Sequence, residues 1–406
     1  MNIRHMEFSS NIASLQPSAT IAVSTLAKQL RAEGRDIIDL SAGEPDFDTP
    51  SWIAAAAIAG IESGQTKYTP VAGIPELRKA VAGYLSTVSK DEIDWEGVVV
   101  SSGAKHSLFN TAFACFGPGD EVLVTTPYWV SYPEIISLSR ADSVFVSGNE
   151  TNNFLVTPED LDTVYTDRTK GLILCSPCNP TGAVYTLDQL EALACWAKER
   201  NVVLIADEIY REIYFGSDRL YAPSVLELPK EKRGNCVLID GASKSFAMTG
   251  WRIGFSYSDP EIAKKFASIQ SHSTSNPASP SQMAALAAFG DPKRAREEVR
   301  IMNKAFVRRK NLVADLLRER LPHLSFVEPE GAFYFFIKID SLFREGRAGS
   351  VDVCSWILQE AGVAMVPGSA FGDDRFARIS FATSDDLLVQ AVGRIASLLD
   401  NGSAIV

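Results

Sequence analysis

Histidine is scarce in this chain: four residues in 406, at 5, 106, 272 and 323, none at triad spacing and none in a His-Glu-x-x-His pattern. That argues against the common zinc-hydrolase and charge-relay chemistries. Gly-x-Gly-x-x-Gly and Gly-x-x-x-x-Gly-Lys-Ser/Thr are both missing, which counts against dinucleotide-binding and P-loop readings. No stretch approaches the roughly 18 uninterrupted apolar residues of a membrane span, and Met1–Phe8 has no apolar signal core. Excess positive charge is also lacking. A formal net charge of −11 disfavours nucleic acid or an anionic membrane as the main partner, though a local basic pocket can still hold small anions.

Cysteine is sparse and scattered, at 115, 175, 178, 195, 236 and 354, mostly inside apolar segments. Free buried thiols in a reducing compartment fit this better than a disulfide framework. Cys175 and Cys178 match Cys-x-x-Cys, but a zinc site needs a second ligand pair that the chain does not supply. A redox dithiol at a strand end is another reading of that spacing. The expectation is a cytoplasmic, soluble protein with no nucleic-acid or membrane partner and no metal.

What is present is an ordinary globular composition, 46% hydrophobic and 22% charged, in a chain long enough for two domains. From residue 97 to 257 strand-like and helix-like segments alternate. Val98–Ser101, Glu121–Thr125, Ser143–Ser147, Gly171–Cys175, Val202–Asp207, Cys236–Asp240 and Arg252–Tyr257 read as strands, several as continuous apolar runs. Strands of that kind are buried on both faces, and the alternation implies an α/β domain with a largely parallel sheet. Helical spacing marks 51–63, 75–88, 105–116 and 187–200. After Pro292 the pattern becomes α+β, with a long charged helix over 294–320 and an aromatic strand over 332–337. The expected divisions are 1–49, 50–292 and 293–406, with residues 401–406 frayed.

In open α/β sheets ligands bind beyond the carboxyl ends of the strands. Ser101-Ser-Gly-Ala-Lys-His there offers Gly103 and free N–H groups at a helix start, a weak phosphate signal. Trp129 can stack on a planar ring or simply pack a loop. Asn179, in Ser-Pro-Cys-Asn-Pro-Thr-Gly, can donate from its amide. Asp207 ends an apolar strand, where a carboxylate needs a cation or caps a helix; Tyr210 follows three residues on. Lys244 lies among small residues and Arg252 eight positions later, a pair that suits a desolvated amine and a phosphate clamp, or a surface turn with two solvated cations. Arg378 enters a short apolar strand, as a carboxylate clamp or an edge residue. Together these supply a phosphate cradle, an acid, an amide, a phenol and an amine.

The segments Ser-Pro-Cys-Asn-Pro-Thr-Gly, Asp-Glu-Ile-Tyr, Ala-Ser-Lys-Ser-Phe-Ala-Met-Thr-Gly-Trp-Arg-Ile-Gly and Arg-Ile-Ser-Phe resemble those of class I aminotransferases, fold-type I pyridoxal-phosphate enzymes. Pro17–Thr20 and Tyr128–Pro133 resemble the bacterial-type aspartate aminotransferases within that family. The resemblance implies a large domain with a mostly parallel seven-stranded sheet between helices and a smaller α+β domain built from both termini. It implies pyridoxal 5'-phosphate bound to Lys244, with Asp207 on the ring nitrogen and Asn179 and Tyr210 on the ring oxygen. Gly103, Ala104, Arg252 and, as a doubtful substitute, Ser243 would hold the phosphate, and Trp129 would stack on the ring. Arg378 and Gly43 would hold the substrate α-carboxylate, with Lys105 and Thr20 on the side-chain carboxylate. Tyr68 would reach the phosphate of a neighbouring subunit, implying a homodimer.

Two departures stand out. Gly241 occupies the position of a phosphate-binding hydroxyl, and Ser271–Pro277 lacks the arginine that animal-type enzymes bring from the other subunit. The resemblance implies transfer of an amino group between aspartate and 2-oxoglutarate. Prephenate or aromatic substrates, a lyase of the same fold (including an aminocyclopropane-carboxylate synthase), and a non-enzymatic regulator are the alternatives. Regulators of that kind carry an N-terminal DNA-binding domain, and fewer than 50 residues precede Pro50 here.

Overall fold

The computed structural model describes residues 8–13, 15 and 19–402. Most of the expected loose lead, with Pro17 and Ser18, lies outside them, as do residues 403–406 of the expected frayed end; the last helix, Asp385–Gly402, reaches into that end.

Seven strands form the main sheet: β1 (Val98–Ser101), β2 (Glu121–Thr126), β3 (Asp142–Ser147), β4 (Thr169–Cys175), β5 (Val203–Asp207), β6 (Cys236–Gly241) and β7 (Gly254–Tyr257). Their order is β1-β7-β6-β5-β4-β2-β3, and only β7 runs antiparallel to its neighbours. The continuous apolar runs are explained by the two cores they serve. Leu172, Leu174, Leu204 and Leu238 point into one, and Ile173, Ile205, Val237 and Ile239 into the other. With a side-chain period of two, a buried strand must be apolar at every position. Each such Leu or Ile contributes about 1.5–3 kcal/mol by leaving water. The edge strand β3 is mostly exposed and needs no such run.

Around a third core, Tyr334–Lys338 pairs antiparallel with Phe376–Ser380 and Phe326–Val327. Ile38–Asp39 pairs parallel with Val363–Ala364, joining the start of the chain to its end. The 29-residue helix Pro292–Arg320 begins where sequence signals place it: Pro292 in its first turn and the Asp291 side chain accepting from the Arg294 N–H at 3.1 Å. It buries Val299, Met302, Phe306, Val313 and Leu317, and Arg309 forks onto Asp46 at 2.7 and 2.8 Å.

Several expectations need correction. Arg252 does not begin a strand; it has a left-handed backbone (φ 56°), and the strand starts at Gly254. Val363–Ala364 and Val366–Pro367, on either side of Met365, pair in different sheets. Helices Pro260–Ser273 and Ser279–Gly290 escaped the reading. The second is rich in alanine and packs against both Ser51–Glu62 and Pro75–Ser86, so it shows little amphipathic contrast.

Candidate active site

The carboxyl ends of β4, β5 and β6 and the helix start after β1 face a cavity of about 280 Å³. Asp207 closes β5 and is buried. Its Oδ2 accepts from the Tyr132 hydroxyl at 2.7 Å and its Oδ1 from the Ile209 N–H at 3.2 Å. Burial outweighs these donors and the nearby Lys244, pushing the carboxyl up to about 6. This is a carboxylate suited to a cationic partner.

Lys244 lies in the single helical turn Ala242–Ser245 that follows β6. Its Nζ donates to the Gly43 carbonyl at 2.5 Å and lies 5.8 Å from the centre of the Tyr210 ring. Desolvation lowers its pKa to about 8; Glu44 opposes the shift, while Arg252 and Arg378 add to it. A sizeable fraction of this amine is therefore neutral near pH 7–8, as a nucleophile requires.

The two flanking cations are held differently. Arg378 is buried: Nη1 donates to Asn179 Oδ1 at 2.8 Å, Nη2 to the Ser41 carbonyl at 2.9 Å, and Nε has no partner. Its guanidinium carbon stands 4.2 Å from the centre of the Tyr334 ring, and desolvation lowers its pKa. Because Asn179 accepts through Oδ1, its NH2 is the end left to donate. Lys105 is exposed, 4.9 Å from the centre of the Trp129 ring, and burial of its stem together with Arg252 lowers its pKa.

Backbone packs closely around Arg252. Gly103 has φ 89°, and a Cβ there would lie 2.3 Å from Nη2 of Arg252. Gly241 pairs with Gly254 across β6 and β7, and a Cβ on Gly241 would meet the Gly254 Cα at 2.8 Å. The departure at 241 thus has a steric cause: a side chain there does not fit without backbone movement.

Thr20, Gly43, Ala104, Ser243 and Tyr210 also line the cavity, so the structure brings together the anticipated site residues of one chain. Gly103 does not itself line the cavity but packs on Arg252, which does, and Tyr68, 93% exposed, lies outside it. Sequence reasoning missed Tyr132 and Tyr334. The Tyr334 hydroxyl lies 2.8 Å from that of Tyr210, and both rings are buried. Tyr334 sits in an aromatic strand that reads as plain core, and the only available clue was that a buried phenol needs a polar partner.

Residues 35–395 match the family described as "Aminotransferase class I and II". The aspartate aminotransferase of Geobacillus stearothermophilus is 42% identical over 97% of this chain and 99% of its own length. A probable aspartate/prephenate aminotransferase of Aquifex aeolicus is 41% identical over 96% and 98%. The structure of Thermus thermophilus aspartate aminotransferase with maleate superimposes with a TM-score of 0.91 at 38% identity, covering 97% of this chain and all of that one. A half-buried amine sharing a cavity with a buried acid at the carboxyl edge of a mostly parallel sheet agrees with those likenesses: the chain belongs to the class I and II aminotransferases.

Proposed function

We propose that this enzyme moves an amino group between L-aspartate and 2-oxoglutarate, with pyridoxal 5'-phosphate bound at Lys244. The observation that carries this reading is the half-buried Lys244 amine, with its pKa lowered to about 8, in a cavity shared with Asp207, Arg378 and Lys105. The cavity fits the cofactor: a buried carboxyl without a full cationic partner suits a ring nitrogen, and the Arg252 guanidinium packed on Gly103 beside the helix start at Ala104 suits a phosphate. Bound there, the cofactor supplies an aldehyde carbon that an amine can join and a protonated ring that withdraws electrons from the substrate α-carbon.

The chain's own groups would do the rest. Asp207 would hold the ring-nitrogen proton, its carboxylate fixed by Tyr132. Asn179 and Tyr210 would donate to the ring oxygen, and Trp129 would cover the ring face. Ala104 and Ser243 would add donors beside Arg252 at the phosphate. Arg378 would bind the substrate α-carboxylate next to Gly43, while Lys105, near Thr20, would favour a second carboxylate. Lys244 Nζ would take the proton from the substrate α-carbon.

A second copy of the chain is expected to complete the site, with Tyr68 reaching its phosphate end; the tyrosine's exposure supports that placement. The proposed divisions are 1–49 with 293–406 as the smaller domain and 50–292 as the larger. Among the described residues no helix is long and apolar enough to cross a membrane, in keeping with a cytoplasmic location. The Aquifex relative's name makes prephenate the second reading. Comparing kcat/KM for aspartate with 2-oxoglutarate against prephenate with glutamate decides between them: a higher value with prephenate overturns the aspartate assignment.

A further inference from the structure

Tyr68 is 93% exposed, so its own packing does not fix where the ring stands; that falls to the backbone beneath it. Residues 63–74, between helices Ser51–Glu62 and Pro75–Ser86, contain no helix or strand. They are held instead by side chains at 67, 69, 71 and 74, on both sides of the tyrosine. Ser279 Oγ donates to the Lys67 carbonyl at 2.6 Å. Gln282 Nε2 donates to Thr69 Oγ1 at 2.9 Å, and its Oε1 accepts from the Ile74 N–H at 2.8 Å. Gln270 Nε2 donates to the Val71 carbonyl at 2.7 Å.

Both glutamines are fully buried, and their remaining bonds tie this loop to the site. Gln270 Nε2 also donates to the Val100 carbonyl at 2.8 Å, and its Oε1 accepts from Ser101 Oγ at 2.7 Å and Asn110 Nδ2 at 3.0 Å. Ser101 ends β1, just before the Gly103 turn that packs on Arg252. One side chain thus joins the approach to the chain's own phosphate end to the loop that carries Tyr68. Gln282 Nε2 donates as well to the Pro277 carbonyl at 2.8 Å. A buried amide is costly unless bonded, and apolar side chains would pack these helices without that cost. What the amides add is direction, because a hydrogen bond fixes angle as well as distance.

We infer that Gln270 and Gln282 are positioning residues that preset Tyr68 for the phosphate end of a second subunit's site. The role rests on the proposed reach of Tyr68 into that subunit.

A double-mutant cycle on the full-length protein tests it, with the dissociation constant for pyridoxal 5'-phosphate read by absorption titration. Tyr68→Phe is expected to weaken binding about tenfold, the effect of losing a hydrogen bond to a charged group. Gln282→Met keeps the side chain's length and removes its donors and acceptor. It is expected to weaken binding about fivefold alone and less than about twofold in the Tyr68→Phe background. Equal losses in both backgrounds would make Gln282 a merely structural residue and overturn the proposal. Unchanged affinity in Tyr68→Phe would remove the reach of Tyr68, and the proposal with it. With cofactor saturating, hydrogen exchange over residues 67–74 is expected to quicken at least about tenfold in Gln282→Met and to stay unchanged in Tyr68→Phe. Exchange that does not quicken in Gln282→Met also overturns the proposal. Thr69→Val, which removes only one partner of Gln282, repeats the cycle if Gln282→Met fails to fold, and the same loss of additivity is expected.

Discussion

Arg378 donates to Oδ1 of Asn179 across 2.8 Å, joining the last strand of the second sheet to the loop after β4. The bond sets both groups: it holds the guanidinium at the cavity wall and turns the NH2 of Asn179 away from it. A hydrogen bond to a charged group contributes about 1.5–3 kcal/mol. Asn179→Ala is therefore expected to raise KM for aspartate about tenfold or more, measured by steady-state kinetics. An unchanged KM would show that Arg378 does not need this anchor.

Gly103→Ala places a Cβ 2.3 Å from Arg252 Nη2 and strains a backbone at φ 89°. The variant is expected to lose cofactor affinity at least about tenfold, and roughly 1–3 kcal/mol of stability from a positive-φ, extended-ψ backbone that glycine alone adopts readily (φ 89°, ψ 158°). Titration of the apoprotein with pyridoxal phosphate, together with urea unfolding, separates the two effects.

Much of this site was legible because its chemistry lies at strand ends, where apolar runs stop and polar residues have no packing reason to follow. Asp207, Lys244 and Asn179 lie at such ends; singly each had a plain structural reading, and their conjunction and the resemblance to class I aminotransferases gave them roles. Tyr132 and Tyr334 did not stand out, because an aromatic ring in an apolar segment has the same pattern whether or not its hydroxyl is used. Helix Ser279–Gly290 was hidden for a related reason: buried against two other helices, it has no polar face to mark its period. The small residue at Gly241 looked like a defect in the phosphate site; it is explained by a contact with Gly254, thirteen positions on, which only the fold reveals.

Tyr334→Phe removes the 2.8 Å partner of the Tyr210 hydroxyl and leaves the ring under Arg378. A loss of about 1 kcal/mol in stability is expected, with a fall of several-fold in kcat and little change in KM. A larger change in KM than in kcat would assign Tyr334 to the arginine instead.

Lys244 titrates at about 8 in the folded apoprotein against the ordinary 10.5. Between those values the unfolded chain binds the extra proton, so folding is favoured by raising the pH; below about 8 the full cost of the buried charge is present. The stability advantage of Lys244→Met over wild type is expected to shrink by about 3 kcal/mol from pH 7.5 to 10.5, read from paired denaturant curves. A difference that stays flat with pH would place the amine in water.

Transfer itself is tested most directly with 15N-labelled aspartate and unlabelled 2-oxoglutarate, followed by NMR. The wild-type enzyme is expected to pass the label to glutamate, with oxaloacetate formed in equal amount, and Lys244→Ala to leave it on aspartate. Label released as ammonia, or glutamate labelled equally well by Lys244→Ala, would contradict the account.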